Sequence, residues 1–139
     1  MLKMIKKYVL SGEDFSIAGE ASSSFKAVLK KLGIDAGIIR RVAIAMYEAE
    51  INTIVHGGGG ECEAEIEGNK ITLVFRDSGP GIPNLELAMQ EGYSTATDEI
   101  RELGFGAGMG LPNIKKYTDS MNIETEIGKG TTVTLVINL

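Results

Sequence analysis

The sequence has few of the residues that build disulfides, metal clusters or nucleic-acid-binding surfaces. It contains no tryptophan, one cysteine and one histidine among 139 residues. A single cysteine excludes an internal disulfide, and we interpret Cys62 as a free thiol in a strand; a zinc cluster is implausible. The 19 acidic residues outnumber the 14 basic ones and give a net charge of -5. Because an acidic chain without a basic run binds the phosphate backbone of a nucleic acid poorly, we expect no nucleic-acid partner.

Long apolar runs are also missing. No stretch reaches the roughly 20 residues that a transmembrane helix needs. Residues 1–10 contain lysines but neither the apolar stretch nor the cleavage site of a signal peptide. We therefore expect a cytoplasmic protein with no membrane partner. The 43% hydrophobic content suffices for one core, and the length fits a single domain over residues 1–139.

Hydrophobic spacing and turn residues predict a strand, two helices, two strands, a polar glycine-rich segment, a helix and two strands. The predicted strands cover residues 3–10, 61–67, 70–76, 123–127 and 131–137. The predicted helices cover residues 17–32, 35–55, 85–91 and 110–120, with Asp35 as a cap and Gly33 as a stop.

The hairpins predict an α/β (α+β) two-layer sandwich, in which a mixed, largely antiparallel sheet has helices on one face. Each of the two long helices has a predicted apolar stripe. The stripe of the first consists of Ala21, Phe25, Val28, Leu29 and Leu32, and that of the second of Ile44, Tyr47, Ile51, Ile54 and Val55.

Glu48 and Asn52 form the first candidate site. Their spacing of four places both side chains on one helix face, and His56 continues the same stripe. A carboxylate can accept a proton or orient a nucleophile, and an amide oxygen is a hard ligand suited to Mg²⁺. Such pairs are common on helices, so a solvated face is the more frequent explanation for this pair alone.

Asp77 follows a predicted strand and begins the sequence Asp-Ser-Gly-Pro-Gly. A carboxylate at a strand end can accept a hydrogen bond from an exocyclic amine such as that of adenine. The glycines Gly79 and Gly81 let the backbone approach a flat ring. An ordinary turn explains the same residue types about equally well.

Glycines alternate from Gly104 to Gly110, directly before a predicted helix. This arrangement exposes backbone N–H groups to an anion at a helix N-terminus. The segment lacks the βαβ context of a dinucleotide-binding fingerprint and the Gly-Lys-Ser/Thr ending of a Walker loop. A glycine-rich loop alone remains weak evidence for a phosphate site.

The order of these motifs resembles the N, G1 and G2 boxes of the GHKL ATPases: Glu48-x-x-x-Asn52, Asp77-x-Gly79-x-Gly81 and Gly106-x-Gly108-x-Gly110-Leu111. Gly130-Thr131-Thr132 resembles the glycine-threonine element on that family's last strands, so the match runs from about residue 40 to the C-terminus. Within the family, the sequence is most similar to the small bacterial anti-sigma factors and serine/threonine switch kinases, including the His-Gly that follows the N box and the segments at 90–95 and 108–112.

The resemblance implies ATP and Mg²⁺ as cofactors and gives each motif a role. It implies that Glu48 is the general base and that Asn52 binds Mg²⁺. Asp77 would accept a hydrogen bond from the adenine amino group. Gly79 and Gly81 would let the loop pass beside the purine, and Thr131 would line the adenine pocket. The phosphates would be held by Gly106, Gly108 and Gly110. For His56 the resemblance allows a phosphate contact or a helix cap, and we favour the cap.

We expect a free-standing ATP-binding domain, whose substrate would come from another polypeptide. The leading hypothesis is an ATP-dependent protein serine/threonine kinase acting on a partner regulatory protein, namely an antagonist-type domain and/or a sigma factor. The alternative is a nucleotide-gated module that sequesters such a protein with little or no phosphoryl transfer. The oligomeric state stays open, a homodimer included. The ATP lid at residues 92–104 contains a segment, 96–103, that is longer than we expect of the stressosome switch-kinase branch.

Overall fold

The computed structural model describes residues 3–12, 17–82, 89 and 110–139. Within these residues the chain forms, in order, β1 (Lys3–Ser11), α1 (Glu20–Lys31), α2 (Ala36–Val55), β2 (Gly59–Glu67), β3 (Lys70–Asp77), α3 (Gly110–Tyr117), β4 (Ser120–Glu126) and β5 (Gly130–Asn138). The predicted short helix at 85–91, the lid at 92–104 and the glycines Gly106 and Gly108 lie outside the described residues.

The strands form one five-stranded sheet in the order β1-β2-β3-β5-β4. Every neighbouring pair in it is antiparallel. The helix α2 packs against α1, against α3 and against the sheet. These observations confirm the predicted two-layer sandwich with helices on one face. The sheet was predicted to be mixed and largely antiparallel, and its described strand pairs are all antiparallel.

The core lies between the sheet and the helices. Alternate residues of the inner strands point toward the helices and are fully buried, among them Ile71, Leu73, Leu135 and Ile137. They meet apolar side chains of the helix layer that are equally buried: Phe25, Leu29, Ala45, Met46 and Ile114. Burying one large aliphatic side chain contributes about 1.5–3 kcal/mol, so this layer contact is the main source of stability.

Helix α1 begins later than predicted. Gly19, with a φ of 98°, is its N-cap and offers no side-chain cap. The first turn instead donates its N–H groups to the Glu50 carboxylate of α2. The predicted stop is confirmed, because Gly33 adopts a φ of +70° just after the helix. Leu32 is the C-cap and is 48% exposed, so its place in the apolar stripe was wrong.

Helix α2 begins as predicted, because the Asp35 carboxylate accepts the Gly37 N–H at 3.0 Å. Its predicted apolar stripe is only partly correct. Ile51 and Ile54 are buried, but Tyr47 is 40% exposed. The buried face is centred on small residues such as Ala45 and Ala49, which let α1 and the sheet approach closely. Among the described residues, no helix is both long and apolar enough to cross a membrane.

The sequence predicted that helix α3 would end near residue 120. The helix ends earlier, at Tyr117, and β4 begins at Ser120. Asp119 explains the early end. Its N–H donates to Val136 at 2.9 Å, and its carboxylate accepts the Asn138 N–H at 2.7 Å. Arg41 of α2 donates to the same carboxylate at 3.2 Å. These bonds bring the chain into the β5 ladder before another helical turn can form.

Candidate functional site

Helix α2 carries Glu48 and Asn52 one turn apart, as predicted. Glu48 is partly buried, and its carboxyl group is hydrogen-bonded to the Asn113 side chain of α3. Burial raises the pKa of this carboxyl group, and the hydrogen bond from Asn113 opposes part of that rise. Glu48 therefore lies at the contact between two helices, in a less polar environment than a solvated helix face would give.

Asn52 lies in the last turn of α2, where the helix ends against the sheet. Its backbone oxygen accepts the N–H groups of His56 at 2.9 Å and Gly57 at 3.3 Å. Its side chain is partly exposed. Asn52, the residue predicted to bind a metal, thus lies in the helical turn that precedes Gly57, which packs against Asp77.

Asp77 is the last residue of β3 and pairs with Thr131 of β5. One carboxylate oxygen, Oδ1, accepts the Gly79 N–H at 2.9 Å and the Thr131 N–H at 3.3 Å. Within the described residues, no hydrogen bond involves the other oxygen, Oδ2. The carboxylate is therefore held in one orientation with one oxygen still able to accept a bond.

Gly57 brings the end of α2 against this carboxylate. A Cβ atom at position 57 would lie 2.5 Å from Asp77 Oδ2. A side chain at this position would clash with the carboxylate, so the glycine is what allows the end of α2 to pack this closely on Asp77. Gly57 belongs to the His-Gly that follows the N box, but the sequence predicted no role for it in the site.

Gly79 and Gly81 both pack against protein backbone. A Cβ at Gly79 would lie 2.7 Å from the Gly57 oxygen, and a Cβ at Gly81 would lie 2.6 Å from the Glu126 oxygen. Gly81 also has a φ of +82°, which favours glycine. These contacts give each glycine a structural reason, while their predicted passage beside a purine stays a prediction.

Thr131 is buried, as a residue lining a pocket would be, with 8% of its surface exposed. Its hydroxyl oxygen lies 2.9 Å from that of Thr125 on β4. Thr125 was not among the predicted site residues, because a threonine in an alternating strand carries no pattern of its own. Asn113 was also missed, because a single asparagine on a helix carries no pattern either. Of the three predicted phosphate-binding glycines, the structure describes only Gly110, the first residue of α3.

His56 is the C-cap of α2, which matches the structural role that we favoured. Burial lowers the pKa of its imidazole below the ordinary value of 6.5. The ring is therefore mainly neutral at pH 7, so a favourable charge at the negative end of the helix dipole does not explain its position.

Cys62 is a free thiol in β2, as predicted, and it is buried. Burial, with smaller contributions from the negative charges of Glu50 and Glu63, raises the pKa of this thiol to about 12. A thiol that stays protonated at neutral pH is a poor nucleophile and a poor metal ligand. Cys62 is therefore a core residue and not part of a reactive site.

Glu50 is the main polar feature that the sequence analysis overlooked. It is 1% exposed. Its Oε2 accepts the N–H groups of Gly19 at 2.9 Å and Ala21 at 3.3 Å, and its Oε1 accepts that of Ser22 at 3.1 Å. The carboxylate takes the place of an N-cap side chain for α1 and joins the two helices.

Comparison with known proteins identifies the family. The family described as histidine kinase-, DNA gyrase B- and HSP90-like ATPase matches residues 37–139. The anti-sigma F factor of Clostridium beijerinckii is 33% identical over 139 residues, and the match covers 96% of this chain and 92% of that relative. The serine/threonine-protein kinase RsbT of Bacillus subtilis is 28% identical over 110 residues, covering 76% of this chain and 77% of RsbT.

Solved structures support the fold. A structure of the RsbU and RsbW domains of a Mycobacterium tuberculosis protein matches with a TM-score of 0.67 at 17% identity, over 98% of this chain and 32% of that longer chain. The mycobacterial sensor histidine kinase MprB matches with a TM-score of 0.55 at 16% identity, over 97% of both chains.

The family match covers most of the chain, and the relative from Clostridium beijerinckii is aligned along nearly its whole length. The chain therefore belongs to the histidine kinase-, DNA gyrase B- and HSP90-like ATPase family, as an ATP-binding regulatory protein of the branch that includes the anti-sigma F factors and the RsbT kinase.

Proposed function

We propose that this protein is a cytoplasmic, ATP-dependent protein serine/threonine kinase that transfers the γ-phosphoryl group of Mg-ATP to a partner regulatory protein. The partner would be an antagonist-type domain and/or a sigma factor. The relatives named anti-sigma F factor and serine/threonine-protein kinase support this class of activity. The observation that carries the proposal is Glu48, a partly buried carboxyl group with a raised pKa, one helical turn before Asn52.

Asp77 is suited to hold the adenine base. Its Oδ1 is fixed by two backbone N–H groups, and Gly57 places no side chain against Oδ2. That oxygen would accept the hydrogen bond of the adenine amino group. Guanine carries a carbonyl oxygen at the equivalent ring position, so this carboxylate would favour adenine over guanine nucleotides.

Asn52 is suited to hold the metal. Mg²⁺ takes one or two protein oxygen ligands together with substrate phosphates, and an amide oxygen at the end of α2 meets that requirement. The phosphates would be bound by Gly106, Gly108 and Gly110 at the start of α3, whose N-terminus favours negative charge. Bound ATP would supply the phosphoryl group, and Mg²⁺ would neutralise the negative charge that develops on the phosphate oxygens during transfer.

Glu48 would act on the partner's hydroxyl group. It would take the proton of that hydroxyl as the oxygen bonds to the γ-phosphorus and the bond to the bridging oxygen breaks, which releases ADP. A general base works best when its pKa approaches the operating pH, and the burial of Glu48 moves its pKa in that direction. Asn113 would keep the carboxyl group oriented.

The test uses purified protein, Mg-ATP and a candidate partner, with the partner's mass as the readout. We expect the wild type to add one phosphoryl group to a serine or threonine. Glu48→Gln should bind ADP normally, because Glu48 does not hold the base, and should slow transfer by about 10²- to 10⁴-fold. Asp77→Asn is the matched control, since it should weaken nucleotide binding itself.

The alternative function gives a different result. A nucleotide-gated module that sequesters a sigma factor or regulator needs no base, so Glu48→Gln would be silent in every assay. If the wild-type protein binds its partner in the presence of ATP and leaves the partner's mass unchanged, the kinase proposal is wrong and the sequestering module is supported.

A further inference from the structure

Three polar residues form a row across the end of the sheet. Asp77 on β3 pairs with Thr131 on β5, which in turn pairs with Thr125 on β4. Directly paired residues of neighbouring strands point to the same face, so the three side chains lie side by side. The third member, Thr125, has no role in the function proposed above.

The Thr125 hydroxyl group joins the row to the segment that follows β3. It accepts the Ile82 N–H at 2.8 Å, the shortest of its contacts. Asp77 Oδ1 holds the start of the same segment through the Gly79 N–H. Residues 78–82 are therefore tied at one end by Asp77 and at the other by Thr125.

The turn between β4 and β5 supports the same segment. The Gly128 N–H donates to the Pro80 oxygen at 3.0 Å. Gly81 packs so closely on the Glu126 backbone that no Cβ would fit. Of the contacts named between this segment and residues 125–128, the Thr125 hydrogen bond is the one made by a side chain, so it can be removed by substitution without changing the backbone.

Thr125 also sets what Thr131 offers to a ligand. The two hydroxyl oxygens are 2.9 Å apart, and either one can be the donor. When Thr125 donates, Thr131 keeps its own proton to donate elsewhere. When Thr131 donates, the Thr125 hydroxyl can donate its own hydrogen bond to the Gly130 oxygen at 3.4 Å, and Thr131 presents a lone pair. The pair can therefore match a donor or an acceptor on a bound base.

We propose that Thr125 is a positioning residue of the adenine pocket, whose hydroxyl group fixes residues 78–82 and the Thr131 hydroxyl relative to the Asp77 carboxylate. The proposal rests on the adenine-nucleotide binding proposed above. It predicts that Thr125 controls recognition of the base, because the groups that it holds surround Asp77.

The experiment measures the dissociation constants of ADP and GDP by calorimetry for the full chain. Thr125→Val keeps the side-chain shape and removes the hydroxyl group. We expect about tenfold weaker ADP binding, the size of one lost hydrogen bond, with a much smaller change for GDP. Thr125→Ser should restore the wild-type ratio. Thr134→Val on the opposite face of β5 is the matched control and should leave both constants unchanged.

Each outcome of the binding experiment either supports or overturns the role proposed for Thr125. Equal losses of ADP and GDP affinity would show a general structural role and overturn the proposal, as would a Thr125→Val variant that binds ADP like the wild type. A wild-type protein that binds no adenine nucleotide would overturn the proposed function as well. Melting of each free variant reports folding; if Thr125→Val does not fold, Thr125→Ala gives the same test with less steric demand.

Discussion

Two glutamates on α2, Glu48 and Glu50, lie two positions apart but have opposite environments. Glu50 is buried, and its carboxylate accepts three backbone N–H groups from the start of α1. Glu48 is partly buried, is hydrogen-bonded to one side chain, and has a raised pKa. A separation of two residues is about 200° around a helix, so the two carboxyl groups face different neighbours.

Under the proposed function, the difference separates a structural carboxyl group, Glu50, from a chemical one, Glu48. Both Glu50 oxygens accept backbone N–H groups from the start of α1, so this carboxyl group is held in place as part of the helix contact. Glu48 lacks such a set among the described residues, and its surroundings penalise the charge. A carboxyl group whose ionised form is poorly stabilised can take up a proton more readily, and this is the property that a general base requires.

Glu50→Gln gives the largest effect on stability that we expect from this pair. The amide has one oxygen, which can serve Gly19 and Ala21, and its NH₂ group would then face the Ser22 N–H. A buried donor left without an acceptor costs about 1–3 kcal/mol. We expect the free energy of unfolding to fall by about 2 kcal/mol, measured by urea denaturation.

Glu48→Gln is the matched control for that measurement. Because burial already penalises the Glu48 charge, a neutral amide of the same size should cause no loss of stability. The effects on transfer should be reversed: Glu48→Gln loses the activity, and Glu50→Gln keeps it wherever the protein is folded. Equal destabilisation by the two variants would show that the proposed division of roles is mistaken.

The sequence predicted the fold well because the fold depends on local patterns. Alternating strands, the Asp35 cap and the Gly33 stop each depend on residues close together in the chain. It predicted the end of α3 poorly, since Asp119 ends that helix through bonds to β5 and to Arg41. Contacts between residues so far apart in the chain leave no periodic pattern.

The candidate site shows the same division. Glu48, Asn52 and Asp77 could be predicted as site residues because they lie in motifs with fixed spacing. Gly57 and Thr125 could not, since their importance comes from partners 20 and 43 residues away, Asp77 and Ile82. Glu50 lies between Glu48 and Asn52 in the same motif, but its role depends on the start of α1, which no spacing on α2 could indicate.

The pH dependence of transfer sharpens the comparison for Glu48. A base must be ionised to act, and burial raises the pKa of this group above its ordinary value of 4.5. The rate should therefore fall on acidification at a higher pH than for an exposed glutamate, by about tenfold per pH unit below that pKa. Single-turnover transfer to the partner between pH 4.5 and 8 measures the inflection.

The residual rate of Glu48→Gln is the control for this profile and should lack the inflection. If it keeps the same inflection, another group titrates and Glu48 is not the base. The stability should show the opposite trend to the rate. A carboxyl group with a raised pKa in the folded state stabilises the fold at low pH, and this contribution is lost as the pH rises through the folded-state pKa.

His56, at the C-terminal end of the same helix, gives the smallest expected effect. Burial lowers its pKa below 6.5, so the unfolded chain binds the proton first on acidification. The contribution of His56 to stability should be complete above pH 6.5 and should decline as the pH falls from there to the folded-state pKa.

As the chain has one histidine, NMR can follow its imidazole resonances without assignment. His56→Gln should flatten the dependence of unfolding free energy between pH 7.5 and 5.5. An imidazole that titrates above 6.5 would contradict this, and would instead indicate a cation stabilised by the helix dipole.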